Sequence, residues 1–248
     1  MKKAALITGA SSGIGKASAL TFAKNGYFVY LMGRDKGRLE ETASLCPAGA
    51  SILSCDLKDP VAVKKRLEEV LHHKLYKLEI LVNNAGIYQR HSVEEGSDEL
   101  WREQFEVNVL APVRLARALF PYFKAQGGGS IVNVSSTLGL SPVSNTSSYS
   151  AMKAALNNFT QTLALEGGAH NIRVNAVCPG IIDTPMHAFH SMATEDKKTA
   201  LEQLKGLQPL GRFGTVEDIA KAIYFLGSDQ SSWTTGSLLS VDGGVNIA

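Results

Sequence analysis

Short apolar runs alternate along the chain with stretches whose apolar positions recur three and four residues apart. Ala4–Thr8, Phe28–Met32, Ser51–Leu53, Ile80–Asn83, Ser130–Val134, Arg173–Val177 and Leu238–Val241 have the length and content of buried strands. Between most of them the spacing is helical. Ile14, Ala17, Ser18, Thr21 and Phe22 share one helical face, and Gly26 follows as a stop. Leu110–Lys124 and Tyr149–Leu165 are predicted as longer helices, with a kink or early end in the first at Pro121. Strand–helix alternation of this kind predicts an α/β fold: a doubly wound, mostly parallel sheet with helices on both faces, because right-handed crossovers lay helices over the strands. No Pro- or Gly-rich linker interrupts it, and Gly127-Gly128-Gly129 reads as a helix-to-strand turn. One domain over residues 1–248 is the expectation.

Composition narrows the function classes. The chain is 44% hydrophobic and 19% charged, and 25 basic against 23 acidic residues leave +2. That balance gives no basic stripe of the kind nucleic acids or anionic membranes select. No run of about 20 apolar residues exists to span a bilayer. The apolar run behind Lys2 and Lys3 ends at Thr8-Gly9, too short for a signal-peptide core, so a cytoplasmic location is expected. Cys46, Cys55 and Cys178 form no C-x-x-C pair, which predicts small buried hydrophobes in a reducing compartment.

The first strand runs into Thr8-Gly9-Ala10-Ser11-Ser12-Gly13-Ile14-Gly15 and then a helix. Glycines there permit a tight turn and let the main chain approach a pyrophosphate, while the helix start offers N–H groups and its positive dipole end. Gly9, Ser11, Ser12, Gly13, Ile14 and Gly15 are therefore candidate dinucleotide-binding residues of a Rossmann fold. The cofactor is decided near the end of the second strand, at Gly33-Arg34-Asp35. Arg34 suits a 2′-phosphate and favours NADP(H). Asp35, one residue on, is the carboxylate that an NAD(H) site would use.

Tyr149 is the one tyrosine of seven with a lysine four residues later, and this spacing puts Tyr149 and Lys153 on one helical face. The pair follows a strand that ends in Ser135-Ser136. With these motifs in order, the chain is similar to members of the short-chain dehydrogenase/reductase family, in its compact single-domain branch. The resemblance rests on Thr8–Gly15, Asp56-Leu57, Asn83-Asn84-Ala85-Gly86, Asn108, Ser136, Tyr149 with Lys153, Pro179-Gly180 with Ile182 and Thr184, and Asp242-Gly243-Gly244. Within the family it resembles 3-oxoacyl carrier-protein reductases and glucose or polyol dehydrogenases.

The resemblance implies an oxidoreductase that interconverts a small-molecule carbonyl and a secondary alcohol by hydride transfer. Ser136 would hydrogen-bond the substrate oxygen, with Ser135 as the register alternative. Tyr149 would exchange the proton, and Lys153 would stabilise its phenolate and bind the nicotinamide ribose. Asn108 would hold a water linking the lysine to solvent. Asp56 and Leu57 would approach the adenine, while Asn83, Ala85 and Gly86 would line the crevice of the adenosine ribose and pyrophosphate. Pro179, Gly180, Ile182 and Thr184 would meet the nicotinamide end. A homotetramer built on the two long helices is implied as well.

Substrate choice is expected in a lid over residues 185–212, which contains His187 and His190. Two histidines three apart invite a metal reading, but no third ligand stands at useful spacing, so no metal is expected. His72, His73, His91 and His170 read as surface residues. A non-catalytic dinucleotide-binding regulator would not need Asn108, Ser136, Tyr149 and Lys153 together, and a Rossmann-like methyltransferase has no use for the tyrosine–lysine pair.

Overall fold

Strand alternation sorts the apolar side chains onto the two faces of one sheet. In β1 (Lys2–Thr8), Ala4 and Leu6 join the cluster on one face, and Ala5 and Ile7 join the cluster on the other, as a pleat of period two requires. The remaining strands are β2 (Phe28–Gly33), β3 (Ala50–Ser54), β4 (Tyr76–Asn83), β5 (Gly129–Val134), β6 (Ile172–Pro179) and β7 (Leu238–Val241). The computed structural model describes residues 1–184, 195, 199, 202 and 208–248. Among these residues the strands form one seven-stranded sheet in the order β3-β2-β1-β4-β5-β6-β7. Every adjacent pair runs parallel.

Helices cover both faces. Phe22 of α1 (Gly13–Lys24), Leu39 of α2 (Lys36–Ser44) and Ile219 and Ile223 of α7 (Val216–Gly227) pack with Val29, Leu31 and Val132. On the opposite face, Leu67 of α3 (Pro60–Leu71), Phe123 of α5 (Ala111–Ala125) and Leu163 of α6 (Ser147–Gly168) pack with Leu6, Leu81 and Ile131. The short helix α4 (Asp98–Phe105) continues through a π-helical turn, Glu106–Leu110, into α5. Pro121 does not end α5, which runs on to Ala125. Burial of Leu119 and Phe123 on either side of it offsets the one backbone bond that proline removes. The three cysteines are free and buried.

The strand order reverses at β1, which has β2 on one side and β4 on the other. A crevice opens at such a switch point, outside the carboxyl ends of the strands. Thr8–Gly15, Asn83–Gly86, Ser135-Ser136 and Pro179–Thr184 all follow strands at that edge. Among the described residues no helix is long and apolar enough to cross a membrane.

Candidate active site

The turn after β1 is built for close approach. Gly9 has φ +65°, and a Cβ there would lie 2.8 Å from Asn84 Nδ2; a Cβ on Gly15 would collide with the Gly9 carbonyl oxygen. Ser12, at the start of α1, caps no N–H with its side chain, and the first turn holds no acidic residue. The helix thus presents unpaired N–H groups and its positive end, the physical requirements of an anion site. The turn is tied to β4 through Thr8: its Oγ1 accepts from the Asn84 and Ala85 N–H groups at 2.9 and 3.0 Å, and Asn84 Nδ2 donates to its carbonyl at 2.9 Å.

A cleft of about 1100 Å³ lies over these strand ends, roomy enough for a dinucleotide and a small substrate. Gly9, Ser11, Ser12, Gly13 and Ile14 line it along the first turn, and Arg34 does so beyond β2. Asp56 and Leu57 line it after β3, and Ala85 and Gly86 after β4. Pro179, Gly180, Ile182 and Thr184 complete it after β6. These residues fit a dinucleotide.

Three of the predicted site residues stand elsewhere. Gly15 is buried inside α1, where it permits close packing of helix and turn. Asn108 lies beneath the cleft. The Asn83 side chain does not line the crevice. Its Nδ2 donates to Asn133 Oδ1 at 2.8 Å, and Asn133 Nδ2 donates to Thr160 Oγ1 at 2.8 Å. Alternation along β4 puts Asn83 on the face with Leu81, toward α6, so its neighbour Asn84 lines the cleft instead.

Beyond β2, Asp35 is committed locally. Its carboxylate caps α2 by accepting the Arg38 N–H at 3.1 Å and pairs with Arg38 Nε at 3.3 Å. Arg34 and Arg38 both line the cleft. Sequence reasoning passed over Arg38; the signal was an aspartate three residues before it, at N-cap spacing.

Tyr149 is the third residue of α6 and Lys153 stands one turn later, both buried. Lys153 Nζ is 5.5 Å from the Tyr149 ring centroid and donates to the Val134 carbonyl at 2.8 Å. The Ser136 side chain lies beside Tyr149 and pulls its phenol downward, and its Oγ accepts from the Leu138 N–H at 3.1 Å. Ser135 Oγ instead donates to the Lys153 carbonyl at 3.3 Å. Ser136 is thus the serine that meets the tyrosine. The fully buried Asn108 lies in the π-helical turn, a feature frequent at functional sites. It bonds both backbone groups of Ile87, at 3.0 and 2.9 Å. A Cβ on Gly86 would lie 2.9 Å from Asn108 Oδ1, so glycine is what lets the turn approach Asn108 this closely, and 3.7 Å from Lys153 Nζ.

Burial governs the electrostatics. It pushes the Tyr149 phenol well above its usual range, against the opposing pull of the Ser136 side chain. It pushes Lys153 down to about 8, with the nearby Cys178 opposing. The Cys178 thiol is itself pushed up to about 11 by burial, so it stays protonated and unreactive at neutral pH. A proton donor and a cation near its titration point thus face one another under a hydroxyl that can hold a substrate oxygen.

Two further cleft residues escaped the sequence reading. The Tyr88 ring meets that of Tyr149 edge-on at 4.8 Å, and Arg90 lines the cleft near Tyr88. One expectation is corrected: His91 is buried, not at the surface. The segment from His91 to Gly96 folds around its ring, and a Cβ on Gly96 would lie 2.6 Å from it. His72 is exposed, and His73 and His170 are half-buried. Among the described residues no three His, Cys, Asp or Glu side chains gather as a metal site. His187, His190 and most of the expected lid lie outside the described residues.

Residues 9–246 match the family model described as Enoyl-(Acyl carrier protein) reductase, and relatives at full length agree. The 3-oxoacyl-[acyl-carrier-protein] reductase FabG of Thermotoga maritima is 38% identical, across 99% of this chain and 98% of its own. The chain belongs to the short-chain dehydrogenase/reductase family. This family member is also 39% identical to a 3alpha-hydroxysteroid dehydrogenase of Mediterraneibacter gnavus, over 97% of this chain and 96% of the relative. Its structure is similar to that of L-sorbose reductase from Gluconobacter frateurii complexed with NADPH and L-sorbose. The TM-score is 0.92 at 36% identity, covering 100% of this chain and 97% of that one. Like these short-chain dehydrogenases and reductases, the chain is an oxidoreductase.

Proposed function

We propose that the chain is an NADPH-dependent reductase of a ketone or a 3-oxoacyl thioester, with Tyr149 as proton donor. The observation that carries this reading is the meeting of Tyr149, Ser136 and Lys153 in one buried cluster beside the glycine turn. For the cofactor, Arg34 and Arg38 at the cleft and the prior engagement of Asp35 favour a 2′-phosphate over a bare ribose hydroxyl. The sorbose reductase is itself bound to NADPH. NADH stands as the alternative cofactor and a sugar or polyol as the alternative substrate.

A bound nicotinamide supplies the hydride. The hydroxyls of Ser136 and Tyr149 both donate toward the substrate oxygen, and Tyr149 hands over its proton as negative charge gathers there. The phenolate left behind is stabilised by the Lys153 ammonium, which also binds the nicotinamide ribose. Lys153 then returns a proton to the phenolate, and Asn108 would hold the water through which the lysine is recharged from solvent. Burial keeps the Tyr149 phenol protonated at neutral pH, the form that donates to a carbonyl oxygen.

The remaining assignments belong to the same reading: one dinucleotide-binding domain, a substrate lid over 185–212, a cytoplasmic location and a homotetramer paired through α5 and α6. Leu165 of α6 is 85% exposed, an apolar side chain that a second subunit would cover. Light scattering at micromolar concentration checks the tetramer. The activity is checked by a panel of ketones, 3-oxoacyl thioesters, sugars and secondary alcohols, read by nicotinamide absorbance with each cofactor. Reduction of a ketone or thioester with NADPH is the expected result, and turnover confined to polyols with NAD would overturn the assignment.

A further inference from the structure

The sequence places a serine, Ser148, immediately before Tyr149 in the first turn of α6. Its side chain does not cap the helix. Ser148 Oγ is the meeting point of two buried side chains from other elements: His91 Nε2 at 2.7 Å and Gln104 Nε2 at 2.7 Å. Gln104 lies on α4 and His91 in the segment that follows β4 and carries Tyr88. Ser148 and Gln104 have no exposed surface, and His91 has 7%.

The protons can be assigned from the partners. The Gln104 amide has only N–H to give to Ser148 Oγ, so the serine hydrogen is left for His91 Nε2. The His91 proton is therefore on Nδ1, where it donates to the Ser92 carbonyl at 2.8 Å. The His91 N–H donates to the Asn145 carbonyl at 3.1 Å, which ties the same segment to the loop before α6. Gln104 Oε1 is buried without a hydrogen-bond partner. The Gln104 amide holds one hydroxyl next to the tyrosine, from the helix that runs on into the turn of Asn108.

We propose that His91 and Gln104 are positioning residues: through Ser148 they clamp the first turn of α6 and set the Tyr149 hydroxyl relative to Ser136. The clamp also fixes Tyr88 against the Tyr149 ring, because His91 and Tyr88 share one segment. Neither His91 nor Gln104 lines the cleft, so loss of the clamp acts chiefly on proton transfer rather than on cofactor or substrate binding. The proposal rests on the reductase reading, in which Tyr149 donates the proton.

The test compares wild type with Ser148→Ala, with Gln104→Met, and with the triple variant His91→Phe, Gln104→Met, Ser148→Ala. The triple variant removes every polar side chain that meets at Ser148, which separates stability from position: only the Ser92 carbonyl, itself half-buried, loses a partner. Rates are read with the carbonyl compound of the panel that the wild type reduces fastest. Ser148→Ala and Gln104→Met are expected to lower kcat about 10- to 100-fold, with KM and the NADPH Kd within twofold. The solvent deuterium isotope effect on kcat is expected to rise, because a displaced Tyr149 makes proton transfer slower. Amide hydrogen exchange at residues 147–150 should quicken in all three variants, a readout independent of turnover. In the triple variant, stability is expected to return while kcat stays low. Recovery of kcat together with Tm, or an unchanged isotope effect with unchanged exchange, would overturn the positioning role. If the wild type reduces no carbonyl compound, the reductase reading fails, and the exchange experiment alone decides whether the clamp exists.

Discussion

Arg38 Nε lies 3.3 Å from the Asp35 carboxylate, and the same carboxylate accepts the Arg38 backbone N–H at 3.1 Å. Asp35 also lines the cleft, but the Arg38 guanidinium beside it offsets its negative charge there. Arg34, by contrast, is an exposed cation at the cleft. Arg34→Ala should therefore lower kcat/KM for NADPH about 10- to 100-fold, the loss of one charge-assisted contact, and leave NADH nearly unchanged. Arg38→Ala should do the same more weakly. Steady-state kinetics with both cofactors check this; equal losses for NADPH and NADH would contradict it.

The asparagines after β4 make opposite predictions. Asn83→Ala orphans a buried Asn133 group, at a cost of about 1–3 kcal/mol. It should lower Tm by about 2–10 °C and leave KM for NADPH within twofold. Asn84→Ala should raise that KM several-fold, since it loosens the glycine turn from β4. Thermal unfolding and cofactor titration separate the two, and the reverse pattern would mean that Asn83 lines the crevice.

These two residues also show how far the sequence could be read. Runs such as Phe28–Met32 and Arg173–Val177 are apolar because both faces of a parallel sheet are covered, so the strands and their order of appearance were legible. Tyr149 and Lys153 were legible because helical spacing alone puts them on one face. The Asn83-Asn84 pair was not, because one step in strand phase decides which asparagine turns inward. His91 was misjudged for a related reason. A histidine in a polar segment carries no periodicity, and only the fold of His91–Gly96 around its ring buries it. Arg38 needed knowledge that Asp35 would serve as a helix cap.

Lys153 gives a prediction for stability. Its folded value is lowered to about 8 by burial, against about 10.4 in the unfolded chain. Between those values the unfolded state binds more protons, so this group makes stability rise with pH through that window; below about 8 the buried charge destabilises in full. Lys153→Met should thus match or exceed the wild-type Tm at pH 7, with its advantage shrinking toward pH 10, while activity is lost. A variant less stable at pH 7 than wild type, with no pH trend, would contradict this.

The same titration shapes the rate. Reduction needs the Lys153 ammonium to stabilise the phenolate, so kcat/KM for carbonyl reduction should fall as pH rises through about 8. A pH profile of the reductive reaction checks it. A flat profile to pH 10 would show that the lysine charge plays no part.

The most direct measurement is the Tyr149→Phe variant, which keeps the ring packed against Tyr88 and removes only the hydroxyl. Turnover of the best carbonyl substrate should fall by about 10²–10⁴-fold, the range of general acid catalysis, while the NADPH Kd stays within twofold. A variant that binds NADPH and reduces the substrate at the wild-type rate would contradict the role of Tyr149 as proton donor.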